Sequence, residues 1–405
     1  MPTRREARAT ETGTRRRWCL PPAMLRDPGE TLEGDGILAE SSGDLALLLW
    51  RTARDVTLWG SAPPAMRGKL FSEGSASSRL GLLASTDIPA AISGAVDTLH
   101  GMLALSSRAD PEIVAVCCLE VAAWAHHRGL PHTAIAFAQA GAVVAPAFGE
   151  AALHVGIHAR AAGQDVRAET WLRRAVAVSR RERARVPYSV ALVELGSLHE
   201  AQGRTEQAES FFQLGFRAAR RYAARSTRMR AAHGLFRLMR REGEEAGAKQ
   251  FALAAQRLYE PDAAGGPELL LDLARYWTDR GEPGRVCAAL RRLVPFLPGL
   301  RLADQLAVLA LAARARTGIG NPRAGVRIAQ AAWRLMADER IAEDVRCNAA
   351  FDLAHAARLA GDGASFTQAR RAVLRLAGQA EFPALAAEMA AMWRALERAP
   401  MERAS

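Results

Sequence analysis

Gly163, Gly203 and Gly243 stand forty residues apart, and each is followed five residues later by an alanine, Ala168, Ala208 and Ala248. A fixed period of that size belongs to a supersecondary unit that stacks on copies of itself, because no single unit can bury its own apolar face. The period therefore predicts an array of helix pairs. It also bears on function, since such arrays present extended surfaces that hold partners.

The clearest unit runs from Ser189 to Tyr222, where Leu192, Leu195, Gly196, His199, Gly203, Ala208, Phe212 and Gly215 share one register. Gly196 and Ala208 are small enough to let two helices approach closely, and Gly203 can close the first helix in a left-handed cap. This spacing resembles the tetratricopeptide repeat, in which a Trp-x-x-Leu-Gly-x-x-Tyr helix is followed by a second helix carrying Ala and Phe.

The same frame recurs along the chain. Upstream it takes in Val121, Ala122, Ala125, Gly129, Ala134, Ala138, Gly141 and Pro146, then Val155, Gly156, Ala159, Gly163, Ala168, Leu172 and Ala175. Downstream it takes in Leu235, Phe236, Met239, Gly243, Ala248, Ala252 and Ala255, then Leu273, Ala274, Trp277, Gly281, Val286, Leu290, Leu293 and Pro298. Two weaker copies follow around Gly320 with Ala331 and around Leu353, Ala354, Ala357, Gly361 and Phe366. The pattern departs from the family where His199 replaces the aromatic of the first helix and where unit starts are unevenly spaced. The resemblance implies an all-α fold, a right-handed α-α superhelix with about seven helix pairs over 113–380.

Segments outside the array read differently. Residues 1–40 carry Arg4, Arg5, Arg8, Arg15, Arg16 and Arg17 with Pro21, Pro22 and Pro28, too little apolar surface to offset ordering entropy, so a disordered basic tail is expected. Residues 41–112 form an expected helical cap, with Leu45, Leu48, Leu49, Thr52, Val56 and Trp59 on one stripe and Ile92, Val96, Leu99 and Leu103 on another. A terminal capping helix over 381–399 is expected from Phe382, Leu385, Ala386, Met389, Trp393 and Leu396. The chain has no secretory signal pattern and no apolar run of about 18 residues that would cross a membrane. Its five cysteines include no Cys-x-x-Cys pair, which fits a reduced, cytoplasmic protein.

Enzyme signatures are missing. Lys69 and Lys249 are the lysines, and neither sits in a phosphate-binding loop. His154 and His158 are four residues apart with no carboxylate between them, and with His126, His127 and His132 nearby they read as hydrogen-bonding or groove-lining histidines rather than metal ligands. Cys117 and Cys118 point about 100° apart on a helix and read as small core residues. No catalytic residue, metal or cofactor is expected.

Charge offers the functional signal. The net charge is +11, but its distribution matters more, since nine arginines and no acid fall between Arg217 and Arg241. On a helix over 228–241, Ala232, Leu235, Phe236 and Met239 make an apolar stripe, while Arg230, His233, Arg237 and Arg241, with Arg240 beside them, make a basic one. First helices of tetratricopeptide units line the concave groove, so the resemblance implies that this stripe, continued by Arg275, Arg316, His355 and Arg358, faces a groove. Beside the plain reading of a solvated face in an Arg-rich chain, two functional readings follow. One is a non-enzymatic scaffold that binds an acidic or C-terminal peptide of another protein through paired arginines. The other is a nucleic-acid-associated, transcription-regulatory protein whose Arg-rich surface meets phosphates.

Overall fold

The computed structural model describes residues 35–41, 43–68, 70, 81–104, 109–222, 224–260, 265–379 and 394. Among these residues the regular structure is helical throughout. In chain order the helices are α1 (Asp35–Glu40), α2 (Gly43–Ser61), α3 (Pro64–Arg67), α4 (81–85), α5 (Ala90–Ala104), α6 (Pro111–His127), α7 (Pro131–Val144), α8 (Gly149–Ala161), α9 (Asp165–Arg181), α10 (Arg185–Ala201) and α11 (Thr205–Arg221). They continue as α12 (Arg225–Glu242), α13 (Glu245–Leu258), α14 (Gly266–Asp279), α15 (Pro283–Leu293), α16 (Leu302–Gly318), α17 (Pro322–Met336), α18 (Glu343–Leu359) and α19 (Gly363–Gln379), with a 3-10 turn at Val294–Gly299. No described helix is long and apolar enough to cross a membrane.

The turns that join the two helices of a pair have one chemistry. Gly129, Gly163, Gly203, Gly243, Gly281, Gly320 and Gly361 all adopt φ between 64° and 80°, a left-handed conformation that strains any residue with a side chain. The amide after each glycine reaches back to a carbonyl of the closing helical turn, as Arg204 N does to His199 O at 2.9 Å and Glu282 N to Trp277 O at 2.9 Å. That bond satisfies a carbonyl the helix end would otherwise leave without a partner. Repetition of this cap makes the fold a stack of tetratricopeptide-like helix pairs.

Close packing within a pair depends on small residues. A Cβ on Gly196 would come within 2.7 Å of the Phe212 ring, and one on Gly156 within 2.6 Å of Leu172. Burial is lopsided as a result. In the pair α10 and α11 the first helix buries ten residues, from Ser189 to Glu200, whereas the second buries only Ala208, Phe212, Gly215 and Ala219. In α6 and α7 the order reverses, seven buried residues against ten, because α2 also packs on α7.

The chain divides between Thr227 and Arg228 into two compact units. In the first unit, α2 packs on α7 and α5 on α6, bringing Leu48, Leu49, Val56, Trp59, Ile92, Val96 and Leu99 into one core with Val121, Ile135 and Phe137. The basic tail expected over 1–40 lies outside the described residues as far as 34, but residues 35–40 form α1 instead. The reason is physical: Ile37 is buried, and the Glu40 carboxylate accepts hydrogen bonds from the His132 and Thr133 amides at the start of α7. In the second unit Leu306, Ala310, Ala313, Ala332, Met336, Ala350, Phe351 and Leu353 share a core. Apart from Arg394, the capping helix expected over 381–399 lies outside the described residues. Cys117, Cys118, Cys287 and Cys347 are buried free thiols, and burial pushes those of Cys117, Cys118 and Cys347 above the ordinary range.

Candidate functional site

In the second unit the first helices of successive pairs are α12, α14, α16 and α18. Beyond its first turn α14 buries every residue up to Thr278 except Asp272 and Arg275, which with Asp279 form a polar strip. On α18 the corresponding strip is Asp352, His355, Arg358 and Leu359. Spacings of three and four keep each strip on one helix face.

Cross-helix pairing ties the strips together. His233 Nε2 on α12 lies 2.9 Å from Asp272 Oδ2 on α14, and Arg275 Nη1 lies 3.7 Å from the other oxygen of that carboxylate. Arg240 donates to Asp279 at 2.8 Å. Arg314 on α16 donates to Asp352 on α18 at 2.8 Å. Burial by itself would raise the Asp272 carboxyl, but the hydrogen bond from His233 and the charges of His233, Arg237 and Arg275 hold it below the usual aspartate range. Burial wins at Asp352, whose carboxyl is raised despite Arg314 and Arg275. His355 sits edge-on to Phe351 at 4.8 Å, and burial, followed by the charges of Arg314 and Arg358, lowers its pKa to about 3.

The structure sorts the basic residues of the stripe. Arg237, Arg240, Arg275 and Arg358 are brought into this ladder of charges, with His355 among them as a neutral ring, and Arg230 and Arg241 stand on the same helix as Arg237 and Arg240. His233 is buried beneath the strip rather than lining it, bonded to Asp272 and stacked near Phe236. On α16 the ladder residue is Arg314, not Arg316, because two residues along a helix turn the side chain through about 200°. The acids also change the character of the stripe. Its arginines are interleaved with carboxylates from the next pair, 38 or 39 residues away, which no local count of charge could register.

Register supplies the signal that would have found Arg314. The residue six before each left-handed glycine is Arg237, Arg275, Arg314 and His355 in the second unit. In the first unit the same register holds Ala123, Ile157 and Ser197. There the polar groups are differently arranged. Arg160 on α8 bridges the buried Glu194 on α10 at 3.0 Å. Arg173 and Arg204 hold Glu169, whose carboxyl they lower against the opposing effect of burial. His126, His154 and His158 cluster with ring centroids 5.0 to 5.7 Å apart. Burial first, and then mutual repulsion, lowers His158 to about 3, so this ring stays neutral at physiological pH. Among the described residues no group of three or more His, Cys, Asp or Glu is placed to hold a metal ion.

No protein-family model matches the chain, and no curated protein matches it. Solved structures similar to it include BtubC from P. vanneervenii, at 15% identity and a TM-score of 0.39 over 55% of this chain and 89% of that one. A Podosopora anserina putative kinesin light chain with nearly identical TPR-like repeats aligns at 17% identity and a TM-score of 0.36, over 47% of this chain and 96% of that one. The Rap conjugation gene regulator of plasmid pLS20, in complex with the Phr* peptide, aligns at 12% identity and a TM-score of 0.44, over 85% of this chain and 98% of that one.

Proposed function

We propose that the chain is a non-enzymatic binding scaffold, and that the strip on α12, α14, α16 and α18 takes an extended acidic or C-terminal peptide segment of another protein. The observation that carries this reading is the ladder itself. Arg237, Arg275 and Arg314 recur at one register of successive first helices, and arginines outnumber carboxylates along it. Pairs such as Arg314 with Asp352 and Arg240 with Asp279 hold guanidinium groups in fixed positions, so less rotamer freedom is lost when a peptide carboxylate arrives. Regular spacing suits an extended chain, whose side chains alternate over a strip of helices. The buried free thiols fit a reducing compartment, and we place the protein in the cytoplasm.

A display library of peptides with free C-termini tests the reading. Selected sequences should be enriched in Asp and Glu, and Arg237→Gln with Arg275→Gln should weaken a selected peptide at least about a hundredfold, since each charge-assisted contact contributes roughly 1.5 to 3 kcal/mol. Arg323→Gln with Arg327→Gln, two positions on the second helix α17 away from the ladder, should leave binding unchanged. Equal loss from both pairs, together with a steep fall in affinity at moderate salt, is what phosphate contacts to nucleic acid would give, and would replace this reading with that one.

A further inference from the structure

A hollow of about 530 Å3 opens on the first unit where the end of α9, the turn after it, the start of α10 and the end of α11 converge. Four arginines line it, Arg180, Arg183, Arg185 and Arg221, with the rings of Tyr188 and Tyr222. All four guanidinium-bearing residues are exposed. Among the described residues none is in an ion pair; Arg185 and Arg221 instead lie 5.6 and 6.0 Å from the centroid of the Tyr222 ring. Four uncompensated cations about one concavity repel each other, a cost that a bound polyanion would relieve. This sets the hollow apart from the ladder in the second unit, where Asp272, Asp279 and Asp352 stand interleaved with a larger number of arginines.

Two further observations mark the hollow as a site for an anion. Ala184 precedes α10 without any side-chain capping bond, so the helix turns its positive end to the wall with the Arg185 and Val186 amides as its free donors, Pro187 having none. Arg183 has φ of 56°, the sole described non-glycine residue in the left-handed region. Every glycine-capped turn avoids that strain, so here the chain keeps an arginine at a position whose backbone favours glycine.

We propose that this hollow binds a nucleoside phosphate, with its phosphates among Arg180, Arg183, Arg185 and Arg221 and its base against Tyr188. The volume falls within the range of small-ligand sites, guanidinium groups match phosphate oxygens in pairs, and an aromatic ring offers a stacking face to a base. No chemistry on the nucleotide is implied.

Calorimetric titration of the full chain with ADP, pyrophosphate and adenosine tests this directly. ADP should bind with one-to-one stoichiometry and more tightly than either fragment, and it should raise the melting midpoint. Arg180→Gln with Arg221→Gln should weaken ADP at least tenfold, while Tyr188→Ala should weaken ADP several-fold and leave pyrophosphate unaffected. Circular dichroism should show both variants folded, and Arg180→Gln alone, which touches no ring contact, supplies the measurement if the double variant does not fold. Absence of ADP binding, or equal loss from Arg323→Gln with Arg327→Gln, would overturn the proposal. So would pyrophosphate binding as tightly as ADP.

Discussion

Two glycines seven residues apart test two different physical constraints. Gly203 has φ of 71° and nothing within 4 Å of where a Cβ would stand, whereas Gly196 has ordinary helical backbone and the Phe212 ring 2.7 Å from that point. Gly203→Ala should therefore cost about 1 kcal/mol through backbone strain, and Gly203→Asn less, since Asn tolerates the left-handed region. Gly196→Val should cost about 1 to 3 kcal/mol through overpacking, and adding Phe212→Leu should recover part of it. Denaturant melts of these variants check the split. Histidine gives a second prediction at this scale. His158 and His355 both fall to about 3 from an ordinary value of 6.5. The unfolded chain binds protons that the folded chain refuses, so this stability is complete above pH 6.5 and is lost as pH falls from there toward 3. Each should cost on the order of 1 to 2 kcal/mol by about pH 5, and His158→Gln should flatten that part of the stability curve.

Pairs of helices are joined by ion pairs of very different environment. Arg314 and Asp352 bridge α16 and α18 with side-chain exposures of 22% and 17%, while Arg240 and Asp279 bridge α12 and α14 with 39% and 61%. Breaking a shielded pair strands a charge, so Arg314→Ala should destabilise by roughly 1 to 3 kcal/mol after allowance for residual solvent. Arg240→Ala should cost about 0 to 1 kcal/mol. Thermal or denaturant melts of the two variants check the ranking. If Arg314→Leu with Asp352→Leu regains what Arg314→Ala loses, the bridge specifies how α16 meets α18 rather than stabilising it. At this scale, too, lies the boundary of what the sequence makes legible. The forty-residue period of Gly163, Gly203 and Gly243 and the Leu192-to-Gly215 frame located helix ends and close contacts, because caps and small residues act within a few positions of themselves. Asp272, Asp279 and Asp352 could not be matched to His233, Arg240 and Arg314 in that way, since each pairing depends on how one pair stacks on the next. The hollow beside Arg183 escaped for the same reason, as its wall gathers the ends of three helices.

On the whole molecule, burial distributes thiols so that both compact units carry them. Cys117 and Cys118 lie in the first unit and Cys287 and Cys347 in the second, all buried and unbonded. A maleimide reagent can reach them only when the surrounding helices part, so the rate of labelling reads how often that happens. With Cys19→Ser, and single-cysteine variants keeping Cys118 or Cys347, labelling should be slow in both and should speed up on adding denaturant. The dependence of each rate on denaturant measures the surface exposed as that thiol is released. Equal slopes would mean that the chain opens as one cooperative block; unequal slopes would mean that either unit breathes while the other stays shut. The thiols thus serve as two clocks built into the chain, each timing the helices that enclose it.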